Sequence, residues 1–517
     1  MDQDKHTNFW IIISILVALK LIIHFATNTN YELHRDAFLY LAQSHHLAWG
    51  YVSIPPLTPF LARISQLFFS DSVFAVRLFP ALIGAVSIIL IGRIVMELGG
   101  RSWAVIIAGS TFLFSPAFLR SNTLLQPVSF NQFFWLLSSY YVLRLIKSKN
   151  PNYWFALGII WGIAFLNKYS IAFLIVAFSI GILLTKFRKL FLTKQFLYST
   201  GVGLLIILPN LIWQYNHDWP VISHMAELQR NQLVNVTIAN FVIMQFLMNV
   251  NAIPVWLTGL LFVIISNERA KYALFGWTFF LLMVILILLR GKAYYTLGIY
   301  PVFFAFGGYV IEKFTKEKMK FIPYVVAGFS ILSVIPILPF SLPVLKPDKM
   351  VAYGKAMMPY GGENLLRWED GRIYPLPQDY ADMIGWKELA DLAIGAYTDL
   401  PDSLKSQSGI FAENYGEAGS ILYHSRGLNI PETVSFSDNF LLWAPDSLPG
   451  LKAMIYVNDD TSEISRFSED VTLYGRLTTP YARERGIPVF VCKNPRNGFL
   501  DFYKLKVREL KSHYLRK

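Results

Sequence analysis

Two adjoining stretches decide the fold of this 517-residue chain: FWIIISILVALKLIIHFA (residues 9–26) and YELHRDAFLYLAQSHHLAWGYVSIPPLTPF (residues 31–60). The first is apolar and close to the length of about 20 residues that crosses a bilayer as a helix. No A-x-A-like cleavage site follows it, so we expect a retained helix and not a cleaved signal peptide. The second stretch is too polar to cross a membrane and too apolar for an ordinary loop. It carries His34, Arg35 and Asp36 near its start.

The composition indicates an integral membrane protein. Hydrophobic residues make up 54% of the chain and charged residues only 15%, with a mean hydropathy of +0.42, whereas a soluble domain carries about 25% charged residues. The net charge is +12, but the basic residues occur in short clusters between apolar runs, which is typical of membrane loops and not of a nucleic-acid surface. The single cysteine, Cys492, excludes intramolecular disulfides and cysteine zinc clusters, and no HExxH or EF-hand motif is present.

Apolar segments dominate the first two thirds of the chain and predict about eleven transmembrane helices. Their centres lie near residues 17, 87, 111, 136, 160, 178, 205, 252, 281, 302 and 331. We therefore assign residues 1–345 to a transmembrane domain, with a first outer loop at 27–72. Residues 346–517 alternate helix-like GWKELADLAIGAY (385–397) with strand-like KAMIYV (452–457) and IPVFVCK (487–493), which predicts a soluble α/β domain.

The basic clusters predict the orientation. They lie at 143–150, 186–194, 267–271 and 312–320, in alternate loops. With eleven spans they share one side with the N-terminus, and the positive-inside rule makes that side the cytoplasm. The first outer loop and the C-terminal domain are then extracytoplasmic.

The first outer loop predicts two helices along the membrane surface. Residues 37–47 form an amphipathic pattern that begins at Asp36 as N-cap, and residues 57–68 form a second one, entered through Pro55 and Pro56. A carboxylate at a helix start beside Arg35 stays ionised. Such a carboxylate at the interface is able to take a proton from an incoming hydroxyl.

Three cations stand at the outward ends of apolar spans: Arg35, Lys168 in FLNKYS (165–170) and Lys292 in LLRGKAYY (288–295). A lone basic residue there commonly extends to the lipid headgroups. However, the positive-inside rule gives no reason for lysines on the outer side. Cations that converge on one face of a bundle are suited to a phosphate or diphosphate.

Other polar residues leave alternatives open or favour ordinary roles. His45 and His46 lack a metal-type partner spacing, so we interpret them as interfacial polar residues. In WQYNHDWP (213–220), the two tryptophans are either aromatic-belt anchors or a platform on which a sugar ring stacks. Glu413 and Glu417 stand at helical spacing in AENYGEAGS (412–420), which predicts a solvated helix face.

These stretches together resemble the GT-C superfamily of membrane glycosyltransferases, in its protein-mannosyltransferase and aminoarabinose-transferase-like bacterial branch. The resemblance covers nearly the whole chain, through residues 31–65, RLFPALIGA, LNKYS, LPNLIWQYNHDWP, KAYYTLGIYPVFFAFGG, FAENYGEAGSILYH and PYARERGIPVFVCK. It implies an inverting enzyme that moves a sugar from a polyprenyl-phosphate carrier to a hydroxyl of a lipid, polysaccharide or protein. The reaction takes place on the outer face of the bacterial inner membrane. It needs no nucleotide sugar and no cofactor, although outer-loop carboxylates are chemically able to hold a divalent ion.

The resemblance also implies roles for particular residues. Asp36 matches the acidic catalytic position. The expected contacts to the lipid phosphate are Arg35, Lys168, Lys292, Tyr294 and Tyr295. The expected contacts to sugar or acceptor are His34, Asn131, Trp213, His217 and Trp219.

The chain departs from the family pattern at three places. Relatives often have Glu after the aspartate where this chain has Ala37, an acidic residue near Asn131 or Gln126, and Lys or His where this chain has Ile54. We take this as a shifted substrate. The alternatives are a transporter or flippase for a lipid-linked anion and an inactive scaffold. Ionisable residues at span ends, without paired broken helices, disfavour the transporter.

Overall fold

A computed structural model describes residues 2–315 and 319–514, and the side chains from residue 8 onward. Residues 316–318, in the basic cluster 312–320, lie outside the described part. The α-helices that begin before residue 345 are α1 (Asp2–Thr27), α2 (Arg35–His45), α3 (Leu57–Phe69), α4 (Val73–Leu98), α5 (Ser102–Leu113), α6 (Pro116–Ser121), α7 (Pro127–Ser148), α8 (Tyr153–Phe165), α9 (Ile171–Leu183), α10 (Lys194–Asn216), α11 (Pro220–Asn231), α12 (Ile238–Leu247), α13 (Ile253–Ile265), α14 (Arg269–Leu288), α15 (Tyr300–Thr315), α16 (Ile322–Leu332) and α17 (Leu338–Ser341).

The rest of the chain mixes helices and strands. Its elements are α18 (Pro347–Met357), α19 (Glu363–Leu366), α20 (Gln378–Ala381), α21 (Trp386–Thr398), α22 (Asp402–Lys405), β1 (Ser408–Ala412), α23 (Tyr415–His424), β2 (Thr433–Val434), α24 (Asn439–Trp443), β3 (Ala453–Val457), α25 (Ile464–Phe467), β4 (Ser468–Arg476), β5 (Pro488–Pro495) and α26 (Phe499–Tyr514).

The chain divides into two compact units that interleave along the sequence. The bundle unit comprises Met1–Asn28, Arg77–Leu211 and Leu228–Val344, and the mixed unit comprises Thr29–Val76, Ile212–Glu227 and Leu345–Lys517. The last crossing between the units coincides with the sequence boundary near residue 345. The first outer loop, however, belongs to the same compact unit as the C-terminal residues and not to the bundle. Long-range packing decides this grouping, and a composition profile does not report it.

The bundle unit contains the apolar helices. Among the described residues, five helical segments are long and apolar enough to cross a membrane: Asn8–Thr27, Val73–Leu98, Lys194–Asn216, Arg269–Leu288 and Ala293–Thr315. Four shorter apolar helices accompany them, Ser102–Leu113, Tyr153–Phe165, Ile171–Leu183 and Ile322–Leu332. Ten of the eleven predicted span centres fall within helices, and the eleventh, near residue 252, falls at a bend between two of them. The structure is thus that of a multi-pass helical protein, while eleven crossings stay a prediction.

That bend is held by buried asparagines. The segments Ile238–Leu247 and Val250–Ile265 meet at 65°, so backbone groups at the break need partners inside the bundle. Ser330 Oγ supplies one, because it donates to the carbonyl of Asn251 at 3.1 Å. The Asn251 side chain also ties the break to α5, since its Nδ2 donates to the carbonyl of Thr111 at 3.0 Å. The following helix α13 then packs tightly on α15, where a Cβ on Gly307 would come within 2.0 Å of the Val255 carbonyl oxygen.

The first-loop helices of the mixed unit differ from the predicted amphipathic pair. Helix α2 is buried from Ala37 to Ser44, so it has no broad solvent face, because α3 and α23 cover it. Helix α3 buries small and polar residues such as Ala62 and Ser65, and it exposes Phe60, Leu67, Phe68 and Phe69 by 48–74%. An outward apolar face of this kind is typical of a helix that lies in a membrane interface.

The predicted strands form a five-stranded sheet. Its order is β2-β1-β3-β5-β4, with β1 parallel to β2 and β3 and the remaining pairs antiparallel. The strand-like stretches 452–457 and 487–493 correspond to β3 and β5. The α/β character predicted for the C-terminal part is therefore present.

Candidate functional site

Asp36 lies in the first turn of α2, but it does not cap that helix. The residue at the N-cap is His34, whose Nδ1 accepts the backbone N–H of Asp36 at 3.1 Å. The predicted N-cap at Asp36 is therefore wrong, because the capping hydrogen bond at the start of α2 is accepted by the imidazole nitrogen of His34 and not by the Asp36 carboxylate. The backbone N–H of Arg35 donates to the Asp382 carbonyl at 2.9 Å, which ties the start of α2 to the C-terminal region.

The Asp36 carboxylate is partly accessible and held by a tyrosine. Its side chain is 28% exposed, and its Oδ1 accepts the Tyr415 hydroxyl at 2.9 Å. Burial and the nearby Asp36 raise the pKa of Tyr415 well above its ordinary value. Tyr415 is therefore a neutral donor at physiological pH, and it orients the carboxylate without protonating it.

Arg35 lies among carboxylates of its own unit. Its guanidinium is 4.6 Å from the centre of the Tyr415 ring. Burial lowers the pKa of Arg35, but Tyr415, Glu484, Asp382 and Asp36 outweigh that effect, so the net change is upward. The predicted role of Arg35 at a lipid phosphate stays a prediction.

His34 faces two carboxylates from the C-terminal region. Its Nε2 is 3.7 Å from Asp382 Oδ2 and 3.9 Å from Asp379 Oδ1, and the three residues are close enough together to ligate one metal ion. Burial raises the pKa of Asp382, while His34 and Arg483 oppose that rise. Arg483 donates to both Asp382 oxygens, at 3.0 and 3.2 Å.

The histidine geometry does not fit a metal ligand. Because Nδ1 accepts the Asp36 N–H, the neutral ring carries its proton on Nε2. A metal would require the Nε2 lone pair, so ligation would break the bond that caps α2. We therefore interpret His34 as the residue that caps α2 through Nδ1, with its Nε2 facing the Asp382 carboxylate at 3.7 Å.

Helix α23 fixes α2 from the other side through two glycines. A Cβ on Gly416 would lie 2.6 Å from Arg35 Cγ, and one on Gly419 would lie 2.8 Å from Phe38 Cβ. Glu417, between them, is fully buried, and its Oε2 accepts the backbone N–H groups of Glu413 and Asn414 in a capping box. The predicted solvated face is therefore wrong for Glu417, because this helix is packed on its polar side as well.

The bundle unit brings together most of the other predicted phosphate contacts. The Lys168 ammonium lies 5.7 and 5.1 Å from the ring centres of Tyr294 and Tyr295, within the range of cation–π attraction. Lys292 Nζ donates to Gln232 Oε1 at 2.7 Å. Lys168 lies in the short turn between α8 and α9, and Tyr294 and Tyr295 lie in the short connection between α14 and α15. Next to Lys168, Asn167 Nδ2 donates to the Pro127 carbonyl at 2.9 Å and fixes the first of these turns.

Asn131 lies on α7. Its side chain is buried, and its Oδ1 accepts no hydrogen bond within the described part of the chain. A buried, unsatisfied amide oxygen is costly, so a water molecule or a substrate hydroxyl is a suitable partner. Its predicted role as a sugar contact stays a prediction.

The WQYNHDWP segment belongs to the mixed unit. Trp213 stacks on His217, with ring centres 4.0 Å apart and planes 16° from parallel, so one tryptophan face is already covered by the chain itself. Trp219 is 37% exposed and has a φ of +58°, which is uncommon for a bulky residue. The alternatives of membrane anchor and sugar platform both remain open for Trp219.

This chain is similar in sequence to two kinds of glycosyltransferase. The sequence model of dolichyl-phosphate-mannose-protein mannosyltransferases matches residues 53–213. The lipid A galacturonosyltransferase RgtD of Rhizobium johnstonii is 23% identical over 197 residues, which are 37% of this chain and 41% of that protein. The chain therefore spans about two fifths of the length of this curated relative.

The fold is similar to that of ArnT from Cupriavidus metallidurans. The crystal structure bound to undecaprenyl phosphate matches with a TM-score of 0.62 and 12% identity, over 93% of this chain and 97% of that one. The apo structure matches with a TM-score of 0.63 and 13% identity over the same shares. The matching family model, the similarity to RgtD and the ArnT-like fold all support a GT-C glycosyltransferase. The resemblance identified from the sequence is thereby confirmed.

Sequence reasoning missed the partners of Asp36. The family match at 53–213 includes Asn131, Lys168 and Trp213 but not Asp36. Tyr415 and Asp382, which hold the start of α2, come from more than 340 residues away. The only available signal was the motif around Tyr415, which sequence inspection took for an ordinary helix.

Proposed function

We propose that this GT-C protein is an inverting glycosyltransferase that uses a polyprenyl-phosphate-linked sugar, with Asp36 as general base. The observation that carries the proposal is the Asp36 carboxylate, 28% exposed and held as an acceptor by Tyr415. ArnT binds undecaprenyl phosphate, which supports the class of donor. RgtD is named for transfer to lipid A, so a lipid A-like hydroxyl is the first acceptor to test.

The proposed step is a single displacement. The acceptor oxygen forms a bond to the anomeric carbon while its proton passes to the Asp36 carboxylate. The bond between that carbon and the phosphate oxygen breaks, and its electron pair leaves with the polyprenyl phosphate as a dianion. Cations suffice to stabilise this leaving group, and we assign that role to Lys168 and Lys292, with Tyr294 and Tyr295 beside them.

We place the reaction on the outer face of a bacterial inner membrane, with the N-terminus in the cytoplasm. The alternating basic loops support this orientation. We also propose that no metal is required, because the step needs only a base and cations, and because His34 is already committed to hydrogen bonding. The transporter and inactive-scaffold alternatives are outcomes of the experiment below.

The test is sugar transfer by purified protein in the presence of EDTA, with a panel of polyprenyl-phosphate sugars and lipid A as acceptor. Asp36→Asn keeps an oxygen for Tyr415 and removes the base, so we expect at least about a 10²-fold loss of kcat. Lys168→Gln is the comparison variant, expected mainly to raise the KM for the donor. Undiminished transfer by Asp36→Asn would refute the mechanism, and consumption of no donor by the wild type would refute the enzymatic function.

A further inference from the structure

Asp438 lies in a loop that is fastened to the same helix as Asp36. Asn439 Oδ1 accepts Gln43 Nε2 at 3.0 Å and the backbone N–H of Val52 at 3.1 Å. Asp36, Tyr40 and Gln43 are spaced i, i+4 and i+7, so they share one face of α2. The bond between Asn439 and Gln43 therefore brings the preceding residue, Asp438, towards the face that carries Asp36.

The backbone at Asp438 is unusual. Its φ is +50°, a region that non-glycine residues rarely occupy and that collects at functional positions. Its Oδ1 accepts the N–H of Asn439 at 2.7 Å. Burial raises the pKa of Asp438, His224 and a hydrogen bond from Ser53 oppose the rise, and the Asp36 charge adds to it. The carboxyl groups of Asp36 and Asp438 are thus close enough to influence each other electrostatically.

Tyr40 provides a second, independent observation. Its side chain is 93% buried, since the residue is only 7% exposed, and no hydrogen bond to its hydroxyl is made within the part of the chain that the structure describes. Burial raises the pKa of Tyr40, and Asp36, Tyr415 and Asp438 raise it further, so the hydroxyl is near all three. A tyrosine hydroxyl that makes no hydrogen bond to the protein is able to donate to, or accept from, a bound hydroxyl group.

We propose that Tyr40 and Asp438 complete, with Asp36, a subsite that binds the acceptor hydroxyl. The ligand class is a hydroxyl-bearing sugar or lipid headgroup, which offers both a donor and an acceptor to these side chains. Asp438 supplies the second carboxylate that Ala37 does not. This subsite rests on the proposed glycosyl transfer and identifies what holds the acceptor.

The test uses two nearly isosteric variants. Tyr40→Phe removes one hydroxyl, and Asp438→Asn keeps the capping oxygen and tolerates a positive φ while it removes the charge. We expect each to lower kcat/KM for the acceptor by about 10- to 100-fold, with unchanged affinity for polyprenyl phosphate. The midpoint of thermal unfolding should be unchanged for Asp438→Asn and unchanged or higher for Tyr40→Phe. Tyr360→Phe, at a position that is 81% exposed, is the matched control.

A purely structural role predicts a different pattern. If both variants keep the wild-type kcat/KM, or if their losses follow a lower unfolding midpoint and weaker phosphate binding, the subsite is refuted. Asp36→Asn, measured in the same assay, separates the two proposals. If it abolishes transfer while Tyr40→Phe and Asp438→Asn are fully active, only the subsite fails. If Asp36→Asn is fully active, the proposed role of Asp36 as general base is refuted, whatever the two subsite variants show.

Discussion

At the scale of single residues, burial sets the chemistry of the acidic side chains around α2. Asp36 keeps partial access to solvent and a neutral tyrosine donor. Glu417, two residues after the tyrosine in the same helix, has no exposure at all. Burial raises the pKa of Glu417 to about 8, with Glu484 adding to the rise and the Asn414 N–H and Arg35 opposing it. Two carboxyl groups of the same unit therefore differ in environment, and the sequence around them does not reveal it.

The first prediction concerns the pH dependence of stability. The folded chain holds a proton on Glu417 up to about pH 8, whereas the unfolded chain releases it near its ordinary value of about 4.5. This contribution is therefore complete below pH 4.5 and declines by roughly 1.4 kcal/mol per pH unit towards pH 8. Glu417→Gln keeps the capping box and has no proton to lose. We expect its thermal midpoint to fall less than that of the wild type between pH 5.5 and 8.

The measurement is thermal unfolding of both proteins in detergent at a series of pH values. Other groups titrate in the same range, so the difference between wild type and variant is the quantity of interest. Parallel curves for the two proteins would contradict a buried, protonated Glu417.

At the scale of secondary structure, close helix packing positions the site. Helix α23 approaches α2 at Gly416 and Gly419, where a side chain of any size would collide with Arg35 or Phe38. Phe38 also contacts Trp386 of α21 at 5.7 Å and Tyr423 of α23 at 5.6 Å between ring centres. The start of α2, with Asp36, is thus held by a well-packed interior, and small displacements of α23 should reach the carboxylate.

The second prediction follows from that crossing. A Cβ at Gly419 would lie 2.8 Å from Phe38 Cβ and 3.0 Å from its backbone carbon, so Gly419→Ala must separate the helices. We expect a loss of about 1–3 kcal/mol in stability and a lower transfer rate. Gly409→Ala is the control, since its new Cβ would meet only Leu451 Cδ1 at 3.5 Å. Equal thermal midpoints for the two variants would contradict the tight crossing.

At the scale of the whole molecule, the chain assembles each compact unit from segments far apart in sequence. The mixed unit draws on residues 29–76, 212–227 and 345–517. Residues 29–76 and 212–227 each follow a predicted span. The positive-inside rule places both segments on the same predicted side of the membrane as the C-terminal residues. The membership of the unit and the positive-inside pattern therefore agree without sharing an assumption.

The third prediction tests this orientation by cysteine labelling. Cys492 is buried, and burial raises the pKa of its thiol to about 12, so its background reaction is low. Asp402, whose side chain is 97% exposed, and Lys189, also exposed, are suitable positions for new cysteines. A membrane-impermeant maleimide should label Asp402→Cys in intact spheroplasts and Lys189→Cys only after permeabilisation. The opposite pattern would invert the proposed topology.

The sequence by itself determined that this is a helical membrane protein, and it predicted the apolar helices, the strands β3 and β5 and the resemblance to GT-C glycosyltransferases. These features rest on local composition and periodicity, which a bilayer and a sheet impose directly on the chain. It also predicted Asp36 as the catalytic base and Lys168, Tyr294 and Tyr295 as phosphate contacts, roles that stay predictions. The structure places the Lys168 ammonium near both tyrosine rings.

Only the tertiary structure decided what surrounds Asp36. His34 caps α2, and the Tyr415 hydroxyl donates to the Asp36 carboxylate. The bond between Asn439 and Gln43 brings Asp438 towards the α2 face that carries Asp36. The burial of α2 and of Glu417 was also invisible beforehand. The physical reason is that partners separated by hundreds of residues leave no local pattern. Burial and electrostatic environment belong to the packed unit and not to the segment.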